Sequence, residues 1–230
     1  LNIRSIFGEK FRKISKQLPG GMKKIVVAAD SFKGCLSSSQ VAAAVSSGIL
    51  EVFHDCEIVR IEAADGGEGT CAALTGALGG RMVEAVVHDP LMRPLRAAYG
   101  ISADGRTAVM ETATASGLAL LGPLERNPMK TTTYGTGEMI SDALSRGCRR
   151  FLIGLGETAT NDAGTGMLSV LGVKFMDFNG RPLPGTGESL AQVADIDMGE
   201  MRPELKEAEF TAACDVENPF CGPDGAAFIY

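Results

Sequence analysis

The sequence predicts an α/β protein built on an open, largely parallel sheet, with an antiparallel insertion or second domain in its middle. Three observations lead there. From Met22 the chain alternates short β-branched runs, polar loops and helical patterns; its polar, glycine-rich loops fall at strand ends; and 29 of 230 residues are glycine while tryptophan is absent. Such a composition favours ligand loops made of main chain over aromatic pockets.

The elements follow in order. Lys24 to Ala29 is a β-branched run of the kind found in buried parallel strands, ending on Asp30-Ser31-Phe32-Lys33-Gly34. Ser37 and Gln40 form a capping box for a helix whose apolar face is Val41, Val45, Ile49 and Phe53. Ile58 to Ala63 is a second strand, followed by Asp65-Gly66-Gly67-Glu68-Gly69-Thr70 and a helix from Cys71 to Leu78 that stops at Gly79-Gly80. Between Arg81 and Glu111 the pattern gives strands without helices: Met82 to His88, Leu95 to Ile101 and Thr107 to Met110, the last two joined by the turn Asp104-Gly105. A helix from Thr136 to Arg146, a strand at Phe151 to Ile153, a helix near Asp162 to Leu171 and strands at Val173 to Met176 and Phe210 to Ala213 complete the pattern. The end at Tyr230 reads as a truncation.

Charge and cysteines narrow the function classes. A net charge of −6, with no basic stripe after residue 24, argues against nucleic acid and for small-molecule partners. The six cysteines show no CxxC spacing and only two histidines could join them, so neither zinc nor a disulfide framework is expected and a cytoplasmic location is. No apolar run approaches the ~20 residues needed to cross a bilayer. Residues 1–21 carry Ile3, Phe7, Phe11, Ile14 and Leu18 at helical spacing among basic residues. That pattern suits a membrane-surface or transit helix, or an extension outside the fold, and the Pro19-Gly20-Gly21 break favours the extension.

Four loops at strand ends are candidate ligand sites, since open α/β sheets bind there. In the first, Lys33 can hold a phosphate or a carboxylate, Asp30 can act as base or metal ligand, and Ser31 offers a hydroxyl; the alternative is a surface turn with an exposed ion pair. In the second, Gly66, Gly67 and Gly69 with Thr70 open a helix and can turn main-chain N–H groups on an anion, with Asp65 and Glu68 calling for Mg²⁺ to bridge them; the alternative is a capped loop. The third supplies Thr133, Gly135, Thr136 and Gly137 for phosphate oxygens or hydroxyls. The fourth, Gly154 to Asp162, carries Thr160, Asn161 and Asp162. It also spells G-x-G-x-x-A, with Asp177 at the spacing of a ribose-binding acid, which is the rival reading of a nicotinamide-dependent oxidoreductase. A third possibility is a metabolite-binding protein without turnover.

Five strings, in one order, then decide among these: Val27 to Gly34, Ala64 to Thr70, Asn127-Pro128 with Thr131 to Glu138, Ala159 to Gly164, and Cys214 to Gly222. Together they resemble type I glycerate kinases. The resemblance implies ATP- and Mg²⁺-dependent phosphorylation of glycerate, at the 2- or 3-hydroxyl, in a Rossmann-like domain plus a second α/β domain. It implies a Rossmann-like core of 22–80 and 112–175, and a second domain of 81–111 and 176–230. Lys33 would hold phosphate or the glycerate carboxylate, Asp65 or Asp162 would serve as base or Mg²⁺ ligand, and Asp215 and Asn218 would join the ligand-binding residues. The sequence departs from the pattern at Ala29, where proline is expected, at Glu157 and Ala163, where glycine is expected, and at Thr158, where serine is expected.

Overall fold

The computed structural model describes residues 24–29, 32, 35–62, 69–214, 219–220, 222–223 and 225. The chain divides into two compact units, residues 1–65 and 66–230. In the first, β1 (Lys24–Ala29) pairs in parallel with β2 (Glu57–Glu62), joined through α1 (Ser38–Leu50). The expected capping box forms: the Ser37 side chain accepts from the Gln40 amide, and the Gln40 side chain accepts from the Ser37 amide at 2.9 Å. Val27, Ala42 and Ile49 make the small core of this unit, with Ile25, Val45, Phe53 and Ile58 packed around it.

The second unit is organised by a five-stranded sheet of order β3-β4-β5-β6-β9. Its strands are β3 (Arg81–His88), β4 (Pro94–Ile101), β5 (Thr107–Glu111), β6 (Arg150–Gly154) and β9 (Glu209–Ala213). β3, β4 and β5 pair antiparallel, whereas β5, β6 and β9 run parallel, with Glu111 opposite Gly154 and Gly154 opposite Ala213. A separate antiparallel pair, β7 (Lys174–Met176) and β8 (Asp195–Asp197), lies outside that sheet. The protein is thus mixed α/β, with open parallel and antiparallel sheets. The strands of 81–111 share a sheet with β6 and β9, a pairing that runs across the division drawn from the sequence at residue 111. Hydrophobic patterning identifies strands, but their partners are set by non-local packing.

Helices cover both faces. Alternation along β4 turns Ala97, Tyr99 and Ile101 towards one core, where α4 (Tyr134–Ser145) buries Met139, Ile140, Ala143 and Leu144. The large apolar ones among these stabilise the fold by roughly 1.5–3 kcal/mol each. Gly100 faces the opposite way, where a Cβ would overlap the Thr75 side chain of α2 (Thr70–Ala77). Short α3 (Ala113–Ser116) and α5 (Thr165–Val170) complete the helices. The helix expected from Asp162 starts three residues later, because Ala163 and Gly164 both have positive φ, 53° and 73°, and cannot sit in a right-handed turn. Among the described residues no helix is long and apolar enough to cross a membrane.

Candidate active site

β3 runs the same way as β5, β6 and β9, so His88, Glu111, Gly154 and Ala213 all end at one edge of the sheet. The third and fourth candidate loops lead away from this edge or pack onto it, and of the second Gly69 and Thr70 are described. Asp30, Ser31, Lys33, Asp65, Gly66, Gly67, Asp215 and Asn218 lie outside the described residues. Gly69, Thr70, Thr133, Gly135, Thr136, Gly137, Thr160, Asn161 and Asp162 are described.

Gly69 precedes α2 with φ 95°, a backbone that L side chains rarely adopt. The α2 N-terminus already meets a carboxylate: the Cys71 amide donates to Glu111 Oε1 at 2.7 Å. Glu111 is a residue that sequence reasoning missed, because the strand was ended one position early at Met110. The Cys71 thiol donates to the Val109 carbonyl at 3.0 Å, and burial first, then the charge of Glu111, pushes its pKa up to about 11.

Asp162 is the hub of the third and fourth loops. Its side chain is buried, at 1% exposure, and accepts four hydrogen bonds from protein donors. Oδ2 accepts from the Thr133 amide and hydroxyl, both at 2.8 Å, and from the Gly166 amide at 3.2 Å; Oδ1 accepts from the Gly164 amide at 3.1 Å. The Thr133 hydroxyl in turn accepts from the Met167 amide at 2.9 Å. The carboxylate therefore ties the N-terminus of α4 to that of α5. Among the described residues no group of three His, Cys, Asp or Glu side chains is suited to a metal.

The threonines and glycines of the third loop are likewise engaged with protein. Thr131 Oγ1 donates to the Ala159 carbonyl at 2.7 Å, and Thr136 Oγ1 shares a hydrogen bond with Ser116 Oγ at 2.8 Å. A Cβ at Gly135 would overlap the His88 carbonyl oxygen, and one at Gly137 would press on the Met167 backbone of α5. These glycines permit close backbone approach. By contrast, the Thr160 and Asn161 side chains are half-buried, with no hydrogen-bond partner among the described residues. Beside this loop, His88 at the end of β3 sets Nδ1 3.0 and 3.1 Å from the two Glu138 carboxylate oxygens.

The dinucleotide reading fails on topology. Among the described residues β7 pairs as a strand with β8 and not with β6, so β6, α5 and β7 do not form a single-sheet βαβ unit. Asp177 caps its own turn, with Oδ1 accepting from the Asn179 and Arg181 amides at 2.8 Å.

An open sheet whose parallel strands deliver polar loops to one edge defines the class of α/β protein that holds small molecules at strand ends. A sequence model of the glycerate kinase family matches residues 25–230, and the chain belongs to that family. It is 44% identical over 207 residues to the glycerate kinase of Haemophilus influenzae, covering 90% of this chain and 55% of that protein. It is 45% identical over 207 residues to the glycerate 2-kinase of Escherichia coli, covering 90% and 54%. A crystal structure of a protein assigned as glycerate kinase 2, from Salmonella typhimurium LT2, superposes with a TM-score of 0.80 at 41% identity, over 91% of this chain and 56% of that one. The chain spans little more than half the length of the relatives it matches.

Proposed function

We propose that the chain belongs to a cytoplasmic enzyme that transfers the γ-phosphoryl group of ATP to glycerate. The observation that carries this is the 44–45% identity to glycerate kinases over nine-tenths of the chain. The loop edge at His88, Glu111, Gly154 and Ala213 supports it as the place where the reactants meet. Since the E. coli relative is named a 2-kinase, the 2-hydroxyl is the acceptor we favour, giving 2-phosphoglycerate.

Phosphoryl transfer asks mainly for positioning and charge neutralisation. In this reading Asp162, Thr133, Gly135, Thr136 and Gly137 set the position of the loops and do not touch the reactants. Thr160 and Asn161 present free polar groups to them. Lys33, Asp30 and Ser31 of the first loop, Gly66, Gly67, Gly69 and Thr70 of the second, and Asp215 and Asn218 are the residues to which this reading gives the binding of phosphate and glycerate, as the family resemblance implies. Asp65 and Asp162 are the carboxylates that would hold Mg²⁺, which would offset charge on the phosphates. Incubating the full-length protein with ATP, Mg²⁺ and D-glycerate should release ADP and yield 2-phosphoglycerate by NMR. Absence of ADP release above the glycerate-free rate overturns the reading, and 3-phosphoglycerate as sole product overturns the regiochemistry.

A further inference from the structure

We propose that His88 is a further catalytic residue of this edge, its Nε2 accepting the proton of the attacking glycerate hydroxyl. The inference rests on the kinase reading above. Its starting point is a need: phosphoryl transfer uses a base or orienting group for the nucleophile, and the Asp162 carboxylate is buried and already holds four protein donors.

His88 has the geometry of a held base. Both Glu138 carboxylate oxygens lie 3.0–3.1 Å from Nδ1, so Nδ1 carries the hydrogen and the lone pair of the neutral ring is at Nε2. Glu138 is itself fixed, because Oε2 also accepts the His88 main-chain N–H at 2.7 Å. The Tyr134 ring stands edge-on to the imidazole, with centroids 5.9 Å apart, and limits its rotation. The His88 side chain is 35% exposed and that of Glu138 22%, so the ring is anchored on one side and open on the other.

Its surroundings belong to the loop edge. Gly135 lies against the His88 carbonyl, and the Thr132 amide donates to the Pro90 carbonyl at 3.1 Å. One residue further along, Thr133 is the partner of Asp162. Among the described residues the titratable groups that contact the ring are Glu138 and Tyr134 from α4, and Asp89, next in the chain, is held by Arg93.

The step balances. The glycerate O–H bond breaks as its proton moves to Nε2, the oxygen bonds to the γ-phosphorus, and the bond to the bridging oxygen breaks with its electron pair leaving on ADP. The imidazolium then returns the proton to water.

The test uses the full-length protein with His88→Gln and Glu138→Gln in the ADP-release assay. His88→Gln should lower kcat by about 100-fold or more, the usual worth of a general base. It should leave the KM for ATP and the urea midpoint unchanged and abolish the acid limb of the kcat/KM profile against pH. Glu138→Gln should lower kcat by about tenfold and keep that limb, since the ring nitrogen survives but its holder loses charge. A wild-type kcat in His88→Gln, or a change confined to KM with the pH profile intact, overturns the proposal. So does a wild-type kcat in Glu138→Gln. A wild type that turns over glycerate beside an unaffected His88→Gln sinks only this inference, whereas an inactive wild type sinks the kinase reading too.

Discussion

Replacing Asp162 separates a clamp from a reacting group. In Asp162→Asn one carboxylate oxygen becomes an NH₂. If the remaining oxygen takes the Oδ2 place, it still faces the Thr133 amide, the Thr133 hydroxyl and the Gly166 amide, but the new N–H points at the Gly164 N–H. One hydrogen bond to a charged group is lost, worth about 1.5–3 kcal/mol, and the other three lose their charge assistance. The expected destabilisation is about 2–4 kcal/mol, and for Asp162→Ala about 3–5 kcal/mol because a buried network is broken outright. Urea unfolding should show this as a lower midpoint at unchanged slope. Thr133→Val removes the hydroxyl alone, so the double variant Asp162→Ala with Thr133→Val should lose less than the sum of the singles, by about 1 kcal/mol. An Asp162→Asn variant that unfolds at the wild-type midpoint while kcat falls 100-fold would refute the clamp and restore Asp162 as base or metal ligand.

Two further outcomes follow from the backbone and from Cys71. Ala163 is exposed at φ 53°, a left-handed conformation costing an L residue about 1–2 kcal/mol. Ala163→Gly should raise stability by about 0.5–1 kcal/mol after the extra chain entropy of glycine is subtracted, and a lowered urea midpoint contradicts this. For Cys71, whose pKa is held near 11 by burial, the unfolded thiol ionises first as pH rises. The unfolded state then binds fewer protons, so the stability advantage of wild type over Cys71→Ala should shrink between about pH 9 and 11. A constant difference across that window would show that the folded thiol titrates normally.

Much of the frame was legible because it is local. The capping box at Ser37 and Gln40 and the β-branched run of β1 are carried by a few adjacent residues. The start of α5 was misread because Thr160-Asn161-Asp162 looks like an N-cap, and the sequence hides that the next two residues are left-handed. Yet a trace was there. Glu157 and Ala163, the two positions where the family resemblance leads one to expect glycine, are both at positive φ, 57° and 53°. β8 escaped detection since Asp195-Ile196-Asp197 has one apolar residue and no period to read. His88 and Glu138 are fifty residues apart, and only the packing of β3 against α4 brings them together.

The third loop shows why a residue type does not fix a role. Threonine hydroxyls and glycines before a helix suit an anion, and the same groups suit two helix starts packed backbone to backbone. Here the second use accounts for the atoms: Thr131, Thr133 and Thr136 each spend their hydroxyl on a protein partner. Gly137 admits the Met167 backbone, and Gly166 sits where a Cβ would overlap the Thr132 hydroxyl. A motif tied this tightly cannot open to take a ligand without breaking several buried hydrogen bonds at about 1 kcal/mol or more each. In the proposed kinase it serves chemistry by rigidity, holding Thr160 and Asn161 on one side and the end of β3 on the other. Contact with reactants then falls to groups that the network leaves open, and for this reason the half-exposed His88 imidazole is the sharper target for mutation than the buried Asp162 carboxylate.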